Sequence, residues 1–321
     1  MKKDFDVICI GAALIDIIAK IERHPIEDDE VFVPNLQIMS GGAAANTAYV
    51  CKLLGLKTAF IGKIGYKDEF GNKIIKDFEE ISLNTTLIKY SREDATGLAY
   101  VAIDRSGDRR IYAYSGAANL LSSKDINSEE ILRAKIIFLS SLKNLEPFEK
   151  AAKIAKKHNI PIILNPGMLV IEQGYGIIQE LLSDIDILII SEREFLYLFQ
   201  VEEKKLKKEI IEEKISNLFK LGIKVIVITM GKKGAWLITS EEAELIETIK
   251  VKKIIDTTGA GDAFSAGFIY GFIKNLCFKF EDLKFNVEIG NYIAGKCIQE
   301  LGARNGIPSI EEITSNFKIS I

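Results

Sequence analysis

The sequence predicts an α/β protein: a mostly parallel central sheet covered by helices on both faces, with a small second sheet beside it. Three observations carry this. Short, wholly apolar runs of strand length recur along the 321 residues. Segments with helical spacing separate most of them, as alternating strands and helices require. Two stretches, 17–40 and 96–116, break that rhythm and alternate apolar with polar residues instead. Strands buried on both faces need runs that are apolar at every position, and the recurring runs have that character.

In chain order, 7–10 is a buried strand that stops at Gly11. Residues 17–40 carry Ile17-Ile18-Ala19-Lys20-Ile21, Pro25 and Val31-Phe32-Val33 ahead of Gly41, and read as antiparallel strands. Residues 43–54 have helical spacing and end at Gly55. A strand at 58–61 and a helix at 68–80 follow. Residues 96–116 alternate around Ser106-Gly107-Asp108, a turn. Further strands are expected at 136–139, 162–164, 187–190 and 225–228, with helices at 146–157, 176–182, 192–199 and 207–220. From Asp262 to about Leu301 the pattern is mainly helical. The charge-dense run 202–214 mixes both signs at helical spacing and reads as a solvated face. This gives a large domain from 1–16, 41–95 and 117–321, and a β-sheet lid from 17–40 and 96–116.

Composition narrows the class. Hydrophobic residues make up 48% of the chain, enough for a large core and too many for a disordered one. The net charge of -3 argues against nucleic acid as a partner, since a phosphate backbone calls for a basic surface. No apolar run approaches the roughly 20 residues of a membrane helix. Met1-Lys2-Lys3 is followed by Asp4 and Asp6, a poor signal peptide. A cytoplasmic protein without membrane partners is expected. Cys9, Cys51, Cys277 and Cys297 form no CxxC pair and only His24 and His158 accompany them, so reduced thiols are expected rather than a zinc site.

The most informative stretch is Asp256-Thr257-Thr258-Gly259-Ala260-Gly261-Asp262-Ala263-Phe264. Small residues let a backbone approach an anion closely. A helix starting there would aim unpaired N–H groups at it. Asp262 would sit beside the same spot, where a carboxylate can take a proton from a hydroxyl while a phosphoryl group is transferred to it. Taken alone, the segment also suits a Gly-rich turn with a capping Asp. Other nucleotide and hydrolase signals are missing. Gly11-Ala12-Ala13-Leu14 is not GxGxxG, and neither GxxxxGK[ST] nor GxSxG occurs.

Gly41-Gly42-Ala43-Ala44-Ala45-Asn46 precedes a helix and pairs with the segment ending at Asp262. With both signatures in this order, the chain resembles the PfkB/ribokinase family of carbohydrate and nucleoside kinases from Gly11 to about Pro308. The resemblance implies a ribokinase-like sheet flanked by helices, with a β-sheet lid. It implies ATP as donor and Mg²⁺ as cofactor. Asp262 would be the catalytic base, and the N–H groups of Gly259, Ala260 and Gly261 would hold the transferred phosphoryl. Asp16, Gly41, Gly42 and Asn46 would line the acceptor pocket. Thr229-Met230-Gly231-Lys232-Lys233-Gly234 matches the turn near the nucleotide phosphates, so Thr229, Gly231 and Gly234 would bind the nucleotide. Asp256 and Thr258 match residues that hold a monovalent cation such as K⁺ in ribokinase-like members, with Gly302 in the partner loop. One departure stands out. The family's Asn-x-x-Glu appears here as Ser191-Glu192-Arg193-Glu194, which keeps the acid at Glu194 but exchanges an amide for a hydroxyl.

For the acceptor the same resemblance points first to a sugar. Ala13-Leu14-Ile15-Asp16 is closer to fructokinase-like members than to ribokinases, which tend to carry Asn in place of Leu14. A nucleoside is the alternative, with Phe32, Tyr112 and Tyr114 as aromatics able to stack on a base, or simply to pack the lid. A non-catalytic small-molecule sensor is the remote alternative. Exposed lid edges and family habit imply a homodimer.

Overall fold

A computed structural model describes residues 2–203 and 205–318. Its main sheet has eight strands in the order Ala243–Ile246, Ala235–Ile238, Val225–Thr229, Ile187–Ser191, Ile162–Asn165, Ala134–Ser140, Phe5–Gly11, Thr58–Ile61. All pairings from Val225–Thr229 to Thr58–Ile61 are parallel; the first two strands of that order join as an antiparallel edge. The apolar runs explain this placement. In Phe5–Gly11, Ile8 and Ile10 enter the core on one face of the sheet while Val7 and Cys9 enter the core on the other, all four fully buried. A strand with two dry faces must lie between two helical layers.

The antiparallel edge was not foreseen, because Ala243–Ile246 is half-exposed and its sequence AELI carries no strong strand pattern. The helices agree with the expected spans closely: Ala43–Leu53, Glu69–Glu80, Glu146–Lys157, Tyr175–Ser183, Glu192–Leu198 and Lys208–Lys220. Asp68 stands outside its helix as the N-cap and accepts from the Gly71 amide.

The smaller sheet orders its strands Asn35–Gly41, Leu14–Lys20, Thr96–Ile103, Arg109–Gly116. Its two outer pairings are antiparallel, as expected, but the central pairing of Leu14–Lys20 with Thr96–Ile103 is parallel. Three further points differ from the sequence reading. Leu14–Asp16 and Gly41 belong to this small sheet and not to the larger unit. Asp16 therefore lies within a strand, opposite Met39 and Ala99, rather than at the end of the first strand. Val31-Phe32-Val33 forms no strand; Val31 and Val33 pack on Ala19, Ile21 and Ala102 instead.

Register aligns the carboxyl ends of the main strands. Gly11 pairs with Ser140, Asn165 with Ser140, and Ser191 with Thr229. The chain leaves Phe5–Gly11 for Thr58–Ile61 on one side and later fills the other side with Ala134–Ser140. Strand order thus reverses at Phe5–Gly11. The crevice at the carboxyl ends beside such a reversal is where open α/β sheets bind ligands.

Candidate active site

Two helix N-termini meet at that crevice. Gly259 caps the helix Ala260–Phe272 in the left-handed region, at φ 75°. A Cβ there would lie 2.5 Å from the Cα of Ala303, so glycine is required twice over: by conformation and by space. The rest of that helix, Ala263 to Phe272, is buried throughout and fixes the first turn rigidly. The Ala260 N–H is engaged with the Thr257 carbonyl at 3.3 Å. Among the described residues, the N–H groups of Gly259, Gly261 and Asp262 make no hydrogen bond. Of the three expected donors, Gly259 and Gly261 are thus free and Ala260 is engaged, while the Asp262 amide is free as well. These are the orphan donors of a helix start, where the helix dipole also favours an anion.

Asp262 is the third residue of this helix and is half-buried. Its Oδ2 accepts from Asn46 Nδ2 at 2.9 Å, and the Thr47 hydroxyl reaches its carbonyl at 3.4 Å. Asn46 and Thr47 lie early in the helix Ala43–Leu53, which Gly42 opens with φ 95°. Asn46 Oδ1 in turn accepts from Arg304 Nε at 3.0 Å. Sequence reasoning missed Arg304. The available signal was a lone cation two residues beyond Gly302, in a segment otherwise read only for its glycines.

Asp16 comes from the small sheet and lies against Gly41: a Cβ on Gly41 would stand 2.7 Å from the Asp16 carboxyl carbon. Asp256 accepts from the Thr258 amide at 2.9 Å and hydroxyl at 2.7 Å, and from the Gly302 amide at 3.0 Å. Its carboxylate thus clamps the 256–258 loop to the 302 loop. Each of its oxygens already serves the protein, which gives Asp256 and Thr258 a structural role beside any cation role. Glu194 is likewise engaged. With Ser191 it forms a capping box, its carboxylate accepting from the Ser191 amide at 2.8 Å. The exchange of amide for hydroxyl at 191 thus preserves the helix start. Thr229, Gly231 and Gly234 lie at the neighbouring strand end, in a turn closed by a 2.7 Å bond from the Met230 amide to the Gly234 carbonyl. They share the carboxyl edge with Asp262 but make no hydrogen bond to its group.

The proposed base-stacking aromatics need correction. Asp16, Ala99 and Ala113 are cross-strand neighbours and share one face of the small sheet. Tyr112 and Tyr114 alternate with Ala113 and project from the opposite face. Tyr114 bonds Asp94 there. Phe32 is 81% exposed. Tyr112 and Tyr114 do not face Asp16.

Burial dominates the electrostatics. It raises the Asp262 carboxyl to about 7; the Asn46 hydrogen bond opposes this, Asp16 adds to it, Arg304 counters it, and Glu194 adds again. Burial also lifts Asp16 to about 6, against the nearby Arg304. Burial would raise Asp256 too, but its hydrogen bonds from Thr258 and Gly302 outweigh that and hold it low. With Asp262 as the expected base, which acts when deprotonated, kcat/KM should rise with pH and level off above about 7. A rate profile flat from pH 5 to 8 would contradict this.

A sequence profile described as the pfkB family carbohydrate kinase matches residues 4–310. The chain belongs to the PfkB family. It is a kinase. A ribokinase of Staphylococcus aureus is 30% identical over 310 residues, covering 96% of this chain and 98% of the relative. The structure of Arabidopsis thaliana ribokinase complexed with ribose and ATP superposes with a TM-score of 0.85 at 27% identity, covering both chains fully. A nucleoside kinase of Methanocaldococcus jannaschii is 25% identical over 320 residues, covering 97% of this kinase and 96% of the relative. The ribokinase fold and the mostly parallel sheet agree with what the sequence implied. Among the described residues no helix is long and apolar enough to cross a membrane.

Proposed function

We propose that this kinase transfers the terminal phosphoryl group of ATP to a primary hydroxyl of a small uncharged sugar. The observation that carries the reading is the half-buried Asp262 carboxylate beside the unpaired N–H groups of Gly261 and its own backbone. In this reading the hydroxyl oxygen attacks the terminal phosphorus, Asp262 takes the hydroxyl proton, and the bond to the bridging oxygen breaks to release ADP. The free amides stabilise charge on the transferred group, and positioning supplies most of the acceleration. Two carboxylates, Asp16 and Asp262, face the acceptor region, so an anionic acceptor would be repelled there while a polyol would donate hydrogen bonds to both.

No cluster of three or more His, Cys, Asp or Glu side chains able to hold a metal occurs among the described residues. That suits Mg²⁺, which keeps several waters and leans on nucleotide phosphates, where it would neutralise charge. Glu194, with one carboxylate oxygen outside its capping bond, is the acid we assign to the metal's hydration shell, and Thr229, Gly231 and Gly234 are assigned to the nucleotide. A monovalent cation at Asp256 and Thr258 remains part of the proposal on family grounds. A cytoplasmic setting and a homodimer belong to it too. The dimer draws support from Leu36, Ile38 and Tyr112, exposed together on the small-sheet face opposite Asp16. The small sheet is proposed as the lid, because it carries Asp16 to the site.

A nucleoside acceptor is the second reading, favoured by the Methanocaldococcus jannaschii relative and weakened by the outward Tyr112 and Tyr114. Acceptor-dependent ADP release, measured over pooled sugars and then pooled nucleosides, tests the proposal. Release with sugars supports it, and release with nucleosides alone replaces the acceptor. Thermal stabilisation by an acceptor without ADP release would instead identify a sensor. Asp16→Ala should weaken acceptor binding about 10- to 100-fold, the worth of a charged hydrogen bond, and leave ATP binding nearly unchanged. Equal loss for both ligands in titration calorimetry would refute the pocket assignment.

A further inference from the structure

We propose that Arg304 is a positioning residue of the catalytic base: it fixes the side-chain amide of Asn46, which in turn aims Asp262 at the acceptor. This rests on the proposed role of Asp262. An asparagine amide can present either end to a neighbour, and its partners decide which. Arg304 Nε is a donor only, so Asn46 Oδ1 must face it at 3.0 Å. That leaves Nδ2 to face Asp262 at 2.9 Å. Without Arg304 the Oδ1 end loses the donor that faces it, and a turned amide would set oxygen against the carboxylate and push it from its place.

The guanidinium is itself held firmly. It lies over the rings of Tyr49 at 4.8 Å and Phe78 at 5.4 Å, which belong to the two helices behind the site. Among the described residues its Nη1 and Nη2 find no hydrogen-bond partner, although both are buried. An arginine kept only to fill space would cost less as an apolar side chain, since unpaired buried donors are expensive. Its charge has use here because Asp16, Asp77 and Asp262 surround it. The same tripeptide also reaches the anion cradle: Ala303 packs against Gly259, and the Gly302 amide bonds Asp256. Residues 302–304 therefore set both halves of the site, the cradle through Ala303 and the base through Arg304.

The groups whose charge bears on Asp262 are Asp16 from the small sheet, Glu194 from the helix Glu192–Leu198 and Arg304 from the loop; the Cys297 thiol of the helix Phe280–Cys297 feels the Asp262 charge in turn but is itself neutral, pushed up to about 12 chiefly by burial. Removing the cation alone should therefore shift Asp262 upward.

The test compares wild type, Arg304→Gln, Arg304→Lys, Asn46→Ala and the Asn46→Ala/Arg304→Gln double variant. Arg304→Gln should lower kcat about 10- to 100-fold, with acceptor KM changed less than about threefold, and move the rising limb of the kcat/KM profile to higher pH. Arg304→Lys retains the charge and should keep that limb near wild type while kcat stays reduced. Because Arg304 works through Asn46, the double variant should be no slower than Asn46→Ala by more than about threefold. Multiplying losses would overturn the proposal, as would a wild-type pH limb in Arg304→Gln. Titration of the Asp262 carboxyl by carbon NMR, without substrate, serves as the independent readout. An unmoved midpoint in Arg304→Gln, or in Arg304→Met should the Gln variant fail to fold, refutes the positioning role even if the acceptor is never found. A moved midpoint in a protein that transfers no phosphoryl group refutes the functional reading instead.

Discussion

Asp262→Asn is expected to cut kcat at least about 100-fold while leaving acceptor affinity within about threefold. The amide keeps the shape of the carboxylate, so helix, cradle and acceptor pocket persist, but it cannot take the hydroxyl proton. Steady-state kinetics paired with acceptor titration separate the two effects. A variant retaining more than about a tenth of wild-type kcat would remove Asp262 from the role of base. The same substitution carries a stability signature. Burial pushes the Asp262 carboxyl from its ordinary 3.8 in the unfolded chain up to about 7 in the folded protein, so folding takes up a proton between those values. The stability this contributes is complete below 3.8 and is lost as pH rises through about 7. Asn is neutral at every pH. The variant should therefore be more stable than wild type at pH 8, by roughly 1–2 kcal/mol after allowing for solvent screening at a half-buried group, and should show a smaller advantage at pH 5. Melting curves at the two pH values check the sign.

The second large effect comes from the two glycines of the proposed cradle, which should fail in different ways. Gly259→Ala forces a side chain into a left-handed residue and against Ala303. The loop must move, with a loss of roughly 1–3 kcal/mol in stability and about 100-fold in kcat. Gly261→Ala meets no atom within 4 Å and sits inside a helix, where alanine is preferred by roughly 0.5–1 kcal/mol. It should melt no lower than wild type, yet its methyl group occupies space beside the free amides. A drop of at least about tenfold in kcat/KM for ATP is expected. Normal melting with normal activity in Gly261→Ala would place the phosphoryl group elsewhere.

The parts of this molecule that are local were legible in the sequence. Val7 to Ile10 declare a strand dry on both faces because every position is apolar. The Gly-Ala-Gly step before Asp262 declares a backbone that must approach something closely. What stayed hidden is set by contacts between distant segments. Asp16 looked like a strand-end residue until its pairing with Met39 and Ala99 placed it in the small sheet. The direction of Tyr112 and Tyr114 depends on register, and no run of alternating residues fixes register without its partner strand. Ser191 and Glu194 looked like a degraded phosphate motif, while the structure shows a capping box in which the Ser191 hydroxyl accepts from the Glu194 amide. Arg304 is 258 positions from Asn46, and only the fold brings the two side chains together.

The most direct test is transfer of labelled terminal phosphate from ATP to a panel of sugars and nucleosides, run on wild type and Asp262→Asn side by side. The account predicts label on the hydroxyl of an uncharged sugar with wild type, and less than about a hundredth of that rate with the variant. Equal transfer by both proteins, or wild-type enzyme that labels none of these alcohols, would contradict it.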